Sequence, residues 1–411
     1  MDKPSNLLLS QPLTLPVSKL TLPNRLVKAA MYENCADPST SLPSSQLNTI
    51  SSSWSTGSWG LILTGSTAID PAHTSPGSVV FNQPSLPEET VLASLKAWAE
   101  SFRSPTLHTP NTPVIVQLNH AGKQLLRGGS QGIFGSPVAP SAIPLTLGPG
   151  LLPKIARTLL FASPREITLE EIQDVTTKFA QSARTVAKAG FQGVQIHAAH
   201  GMLLCHFLSP AHNHRTDAYG GTAAKRARIV LEVIAAIREA TKEFDGFAVG
   251  MKLNSVDHQG TDKKGMQDTV EQLRLFAESG LDFVEISGGS VEEPPPNAVV
   301  KESTKAREAF FLEFAKVAKR ELVGIPLLVT GGFTSRSGME EAVRSGDCDL
   351  VGLGRPAILD PLLPRNVILN PEVKDQDAKV NRVTVHVPWL MQKIPLKFVG
   401  AGVDNVSIHA L

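Results

Sequence analysis

His197 and His200 stand three apart in Ile196-His-Ala-Ala-His-Gly201, just past a short apolar run that opens at Gly193. Two imidazoles beyond a strand end can converge on one small ligand and donate hydrogen bonds to an oxygen that gains negative charge. A core histidine beside a surface one is the bland alternative. Zinc would need a third and fourth ligand. Cys205, His206 and His212 follow nearby, but no HExxH or CxxC accompanies them, so no metal site is expected. Gln117 closes the apolar run Val114-Ile-Val, and Lys252 closes Val249-Gly-Met. Glycines follow two later apolar runs, at Gly331-Gly332 and at Gly354-Arg355, where backbone N–H groups can approach an anion closely.

Eight short, largely apolar runs must carry these residues: Arg25–Ala30, Gly60–Gly65, Pro113–Leu118, Gln192–His197, Phe247–Leu253, Asp282–Ser287, Ile325–Thr330 and Asp349–Gly354. Helical patterns separate most of them, at Leu169–Ala189, Arg226–Ala240, Met266–Ser279 and Ala306–Leu322. Thr168 and Glu171 form a capping box for the first helix. Eight βα units predict an α/β fold, a closed TIM (β/α)8 barrel with its site at the strands' C-terminal ends. The rival, a doubly wound sheet, lacks a GxGxxG after its first strand.

Three segments fall outside the repeat. Leu13–Leu22 reads as an N-terminal hairpin. The long stretch 121–164 after the third strand is rich in Gly, Pro and Ser, with the apolar piece Ile143-Pro-Leu-Thr-Leu. It reads as a flap over the mouth of the site, with a membrane-facing role as the alternative. The apolar stretch Val383–Phe398 lies in a tail, 371–411, expected to pack on the barrel or on a second copy in a homodimer. A single barrel over 1–370 is the expected domain.

The 411 residues are 42% hydrophobic with a net charge of +1, which suits a soluble globule with a large core. Basic and acidic residues are balanced and interspersed, so no nucleic-acid footprint is read. The three cysteines are widely spaced, which argues against a disulfide framework or an iron–sulfur cluster. The apolar run in MDKPSNLLLSQP is too short for a signal peptide or a membrane span, and a cytoplasmic protein is expected.

HAAHG, FLSP and NHRTDxYGG, all within Gly190–Gly221, resemble the signature of the old yellow enzyme family, flavin-dependent ene-reductases on a TIM barrel. The resemblance spans roughly Leu13–Pro364, and AAMYENCAD is similar to a fungal branch serving specialised metabolism. It implies bound FMN with NAD(P)H as reductant and a small-molecule substrate. His197 and His200 would hold an activated carbonyl or nitro oxygen. Gln117 would pair with the flavin's pyrimidine edge, and Lys252 would lie beside flavin N1 and O2. Gly331, Gly332, Gly354 and Arg355 would hold the phosphate, Ala29, Ala30 and Met31 would flank the flavin, and Gly65 would lie beneath it. Asn119 and Met202 would line the substrate side.

Two residues depart from that pattern. Met202 stands where most relatives carry the tyrosine that protonates the substrate's α-carbon, and a thioether has no proton to give. Tyr32 stands where threonine or cysteine is usual. The chain has only two tyrosines, and Tyr219 belongs to the YGG turn, so Tyr32 is expected to take the proton-donor or orienting role. Alternatives are a flavin-dependent isomerase or dehydrogenase-direction enzyme without net reduction, and a low-turnover flavin-binding protein.

Overall fold

A computed structural model describes residues 7–103, 112–254, 263–288, 292 and 314–380. In chain order its strands are β1 (Leu13–Thr14), β2 (Thr21–Leu22), β3 (Leu26–Lys28), β4 (Leu61–Ala68), β5 (Val114–Asn119), β6 (Val138–Ala139), β7 (Arg165–Glu166), β8 (Gly193–Ala198), β9 (Ala248–Asn254), β10 (Phe283–Ser287), β11 (Leu327–Thr330) and β12 (Leu350–Leu353). Eight of them close into an all-parallel barrel in the order β3-β4-β5-β8-β9-β10-β11-β12. Each of the eight runs picked out by apolar content is one of these strands.

Alternation along each strand divides the core in two. Outward residues such as Val194 and Ile196 of β8 pack under the helices. Inward residues Val27, Leu61, Leu63, Ile115, Ala248, Phe283, Leu328 and Leu350 fill the barrel's lower interior. The hairpin β1–β2 adds Leu15 and Leu22 to that inner cluster, closing the barrel's N-terminal end.

The helices Leu169–Lys188, Ala223–Thr241 and Lys263–Ala277 match the expected ones within a few residues. Thr168 and Glu171 form the capping box, each satisfying the other's backbone N–H. Of Ala306–Leu322, residues 314–321 are helical and the earlier part lies outside the described residues.

The 121–164 insertion holds a helix, Leu151–Leu160, whose Leu151, Leu152 and Leu159 are exposed. Among the described residues no helix is long and apolar enough to cross a membrane. The Val383–Phe398 stretch lies outside the described residues, but the start of the tail packs on the barrel. There Arg336, fully buried, donates to the carbonyls of Val367, Ile368, Asn370 and Val373 and pairs with Asp375 at 3.0 Å.

Candidate active site

Above the apolar inner layer the inward positions turn polar. Gln117, Gln195, Lys252 and Glu285 lie on β5, β8, β9 and β10, each at most 3% exposed. Gln117 Nε2 donates to Gln195 Oε1 at 2.8 Å, and Gln195 Nε2 donates to Glu285 Oε2 at 2.8 Å. Lys252 Nζ sits 3.0 Å from Glu285 Oε1. Buried polar groups cost free energy unless partnered, and this chain of contacts partners all four.

His197, Asn119 and Ser287 follow two residues further toward the mouth. The backbone N–H of Ala199 donates to His197 Nδ1 at 3.4 Å, which leaves Nε2 to carry the proton as a donor. Burial, helped by the charge of Lys252, pushes the His197 imidazole down to about 3, so it is neutral at physiological pH. His200 packs edge-on against it, ring centroids 5.1 Å apart. His200 adopts φ +57°, a left-handed conformation uncommon for a side-chain-bearing residue. Asn254 Oδ1 accepts its N–H at 2.8 Å and Gln124 donates to its carbonyl at 2.6 Å, holding that backbone in place. Its Nε2 lies 3.0 Å from Ser287 Oγ. The structure thus brings the two histidines together.

At the end of β3, Lys28 is fully buried. It donates to Glu33 at 3.1 Å and to the Leu63 carbonyl at 3.0 Å, and burial lowers its proton affinity. Glu33 also accepts the N–H of Gly65 at 2.9 Å. A Cβ on Gly65 would fall 1.5 Å from Glu33 Oε2, so the missing side chain makes room for this carboxylate. Gly354 lies against Met31, and the Ala29 N–H donates to Leu353, so β3 and β12 end side by side. Gly331 and Gly332 have φ +115° and +87°, and nothing lies within 4 Å of a Cβ built on Gly331. Arg355 is exposed nearby.

Tyr32 is 36% exposed, and its hydroxyl donates to the Pro76 carbonyl and accepts from Ser78 at 3.3 Å; local desolvation of that hydroxyl holds its proton more firmly than usual. Tyr219, the other phenol, donates to Glu232 at 2.9 Å. Met202 caps the N-terminus of the short helix Leu203–Leu208 without a side-chain bond.

The polar ending of the signature is architectural. Asn213 donates to Phe207 and Tyr219 carbonyls, while Arg215 donates to Ile167 and chelates Asp217. His206 and His212 turn away from His197 and meet Glu292, each 3.6 Å from its Oε2. Lys123 Nζ joins them, 3.4 Å from the same Oε2, and ligand atoms of His206, His212 and Glu292 all lie within 4.8 Å of one another. Glu292 is held down to about 2 by that company, against its own burial. Its Oε1 accepts the N–H of Thr146, tying the 121–164 insertion to the loop after β10.

The residues present fit a flavin. Gln117 on β5 and Lys252 on β9 supply an amide and a cation on either side of β8, and the glycine turns leave backbone N–H groups room near β11. Asn119 Oδ1, buried, has no hydrogen-bond partner among the described residues. Gln195, Glu285, Lys28 and Glu33 escaped sequence reasoning. For the first three the signal was a polar residue inside an apolar strand, as in Val194-Gln-Ile196 and Val284-Glu-Ile286; Glu33 lies in the loop after β3 and carries no such signal.

A profile of the NADH:flavin oxidoreductase / NADH oxidase family matches residues 9–371. The NADH-dependent flavin oxidoreductase iliE of Hypocrea jecorina (strain QM6a) is 39% identical over 404 residues, covering 97% of this chain and 98% of its own. The iliE of Neonectria sp. (strain DH2) is 41% identical across 97% of this chain, which spans 53% of that protein's length. Among solved structures, morphinone reductase superposes with a TM-score of 0.67 at 25% identity, over 88% of this chain and 89% of its own.

Proposed function

Since the chain belongs to the NADH:flavin oxidoreductase / NADH oxidase family, an FMN-binding oxidoreductase lineage of the old yellow enzyme type, we propose that it reduces activated alkenes, with NAD(P)H as the electron source. Its substrate is an α,β-unsaturated carbonyl compound that receives hydride at the β-carbon. The observation that carries this reading is the pairing of His197 and His200 above a buried cation, Lys252, at the barrel mouth. Bound FMN supplies the two-electron chemistry, accepting hydride from a nicotinamide and delivering it to substrate.

The chain's own residues do the rest. Lys252 and Gln117 would hold the ring's pyrimidine edge, and the glycine turns after β11 and β12 its phosphate, with Arg355 beside them. His197, neutral with Nε2–H as donor, and His200 grip the carbonyl oxygen and stabilise the negative charge that grows there. Such a donor contributes about 10²–10³-fold in rate. Because His197 starts neutral, it holds the oxygen by hydrogen bonding and does not surrender a full proton.

Protonation of the α-carbon falls to Tyr32. Met202 has no proton and Tyr219 is committed to Glu232. To act, the Tyr32 hydroxyl leaves the Pro76 carbonyl, and Ser78 is placed to steady the phenolate that results. Net NAD(P)H oxidation with 2-cyclohexenone, compared between wild type and Tyr32→Phe, tests the assignment. Undiminished turnover in Tyr32→Phe would assign the proton to water. Met202 favours a second reading, in which the unprotonated enolate gives its hydride back after bond rotation, so that the substrate is isomerised without net reduction. In that case Met202→Tyr raises NAD(P)H consumption, whereas wild type consumes almost none.

A further inference from the structure

Glu285 has no partner in the reaction described above, yet it sits fully buried between two residues that face the flavin site. A carboxylate only accepts hydrogen bonds. Gln195 must therefore turn its NH₂ toward Glu285, which it does at 2.8 Å. That leaves the Gln195 carbonyl facing Gln117, whose NH₂ donates to it at 2.8 Å. The polarity of both amides is thus dictated from Glu285. Gln117 is left with a carbonyl oxygen that faces no donor in this relay among the described residues, suited to accept from an N–H. The other carboxylate oxygen lies 3.0 Å from Lys252 Nζ, on the neighbouring strand and in register with it.

We propose that Glu285 is a positioning residue for the flavin site, setting both the charge that Lys252 presents and the amide face that Gln117 presents. The proposal rests on FMN binding as read above. The Lys252 charge favours an anionic reduced ring, and the Glu285 carboxylate counters part of that charge. Removing the negative charge should therefore make the bound flavin easier to reduce. With a neutral amide at position 285 the Gln195–Gln117 relay has no fixed direction, and FMN should bind less tightly.

The test measures the midpoint potential and the FMN dissociation constant of reconstituted full-length protein. In Glu285→Gln the reduced-to-oxidised ratio at a fixed poise should rise about tenfold, equivalent to about +30 mV for a two-electron couple, with FMN affinity several-fold weaker. Gln195→Leu should weaken FMN binding with a smaller change in potential than Glu285→Gln. Lys252→Met should lower the potential, which shows that the lysine's charge is felt. A Glu285→Gln protein whose potential equals or falls below wild type, while Lys252→Met still lowers it, overturns the proposal. If Glu285→Gln does not fold, Glu285→Asp and Gln195→Leu decide, and wild-type affinity and potential in both overturn it. Wild-type protein that binds no FMN would instead sink the functional reading itself.

Discussion

Alanine at position 65 places one methyl group where the barrel mouth has least room. Its Cβ would stand 1.5 Å from Glu33 Oε2 and 2.1 Å from the Met31 carbonyl oxygen. Both separations are below any van der Waals contact, so the Glu33 side chain must leave and the Met31 backbone must shift. Glu33 then loses the Gly65 N–H and the Lys28 ammonium. Lys28 keeps the Leu63 carbonyl and the face of Trp54, 4.1 Å from the ring centroid. Breaking a buried ion pair from one side costs about 3–5 kcal/mol. For a chain of this length that corresponds to a fall in Tm of about 4–6 °C, and displacement of Met31 adds to it. Scanning calorimetry of Gly65→Ala and Glu33→Ala, each with FMN, should show both destabilised and Gly65→Ala the more so. The Glu33→Ala deficit should also shrink between pH 7 and pH 10. Burial already lowers the Lys28 proton affinity, and without Glu33 the folded protein releases that proton while the unfolded chain keeps it, so stability climbs with pH. A Gly65→Ala protein melting within about 1 °C of wild type, or a Glu33→Ala deficit independent of pH, would refute the account.

Other consequences follow from the same contacts. His197, held near 3, takes up a proton only on unfolding, so its contribution to stability is lost progressively as pH falls from 6.5 toward 3; His197→Gln should show a shallower acid loss in unfolding experiments. Glu292→Gln should loosen the 121–164 insertion, read as faster proteolysis there. The stability that Glu292 supplies in wild type, present above 4.5, should fade toward pH 2. Arg336→Met removes a fully buried guanidinium that gathers four carbonyls and Asp375. Denaturant unfolding should show a loss of about 3–5 kcal/mol, with the 367–375 segment cleaved first by protease.

The barrel was legible because each strand is a short apolar run with its own helix, and strand identity follows from local pattern. Gln117, His197 and Lys252 were legible as polar residues at strand ends. Gln195 and Glu285 were not, because each sits mid-strand beside apolar neighbours and gains meaning only when β8 and β10 bring them together. Glu33 was hidden differently. Its partner Lys28 lies inside β3, and the glycine that admits it lies on another strand. His206 and His212 showed no ligand spacing in the sequence, because their acidic neighbour Glu292 lies 86 residues later than His206 and is met only once the helix Leu203–Leu208 is in place. Tyr32 was singled out as an unusual phenol, and its bond to Pro76 depends on a loop that no local pattern specifies.

Absorption spectroscopy of the purified full-length protein during titration with p-hydroxybenzaldehyde tests the central claim most directly. Flavin bands near about 370 and 450 nm and a long-wavelength band that grows with the phenol are predicted, the latter lost in His197→Ala with the flavin retained. A colourless protein that takes up no added FMN, or a phenol response unchanged in His197→Ala, would contradict it.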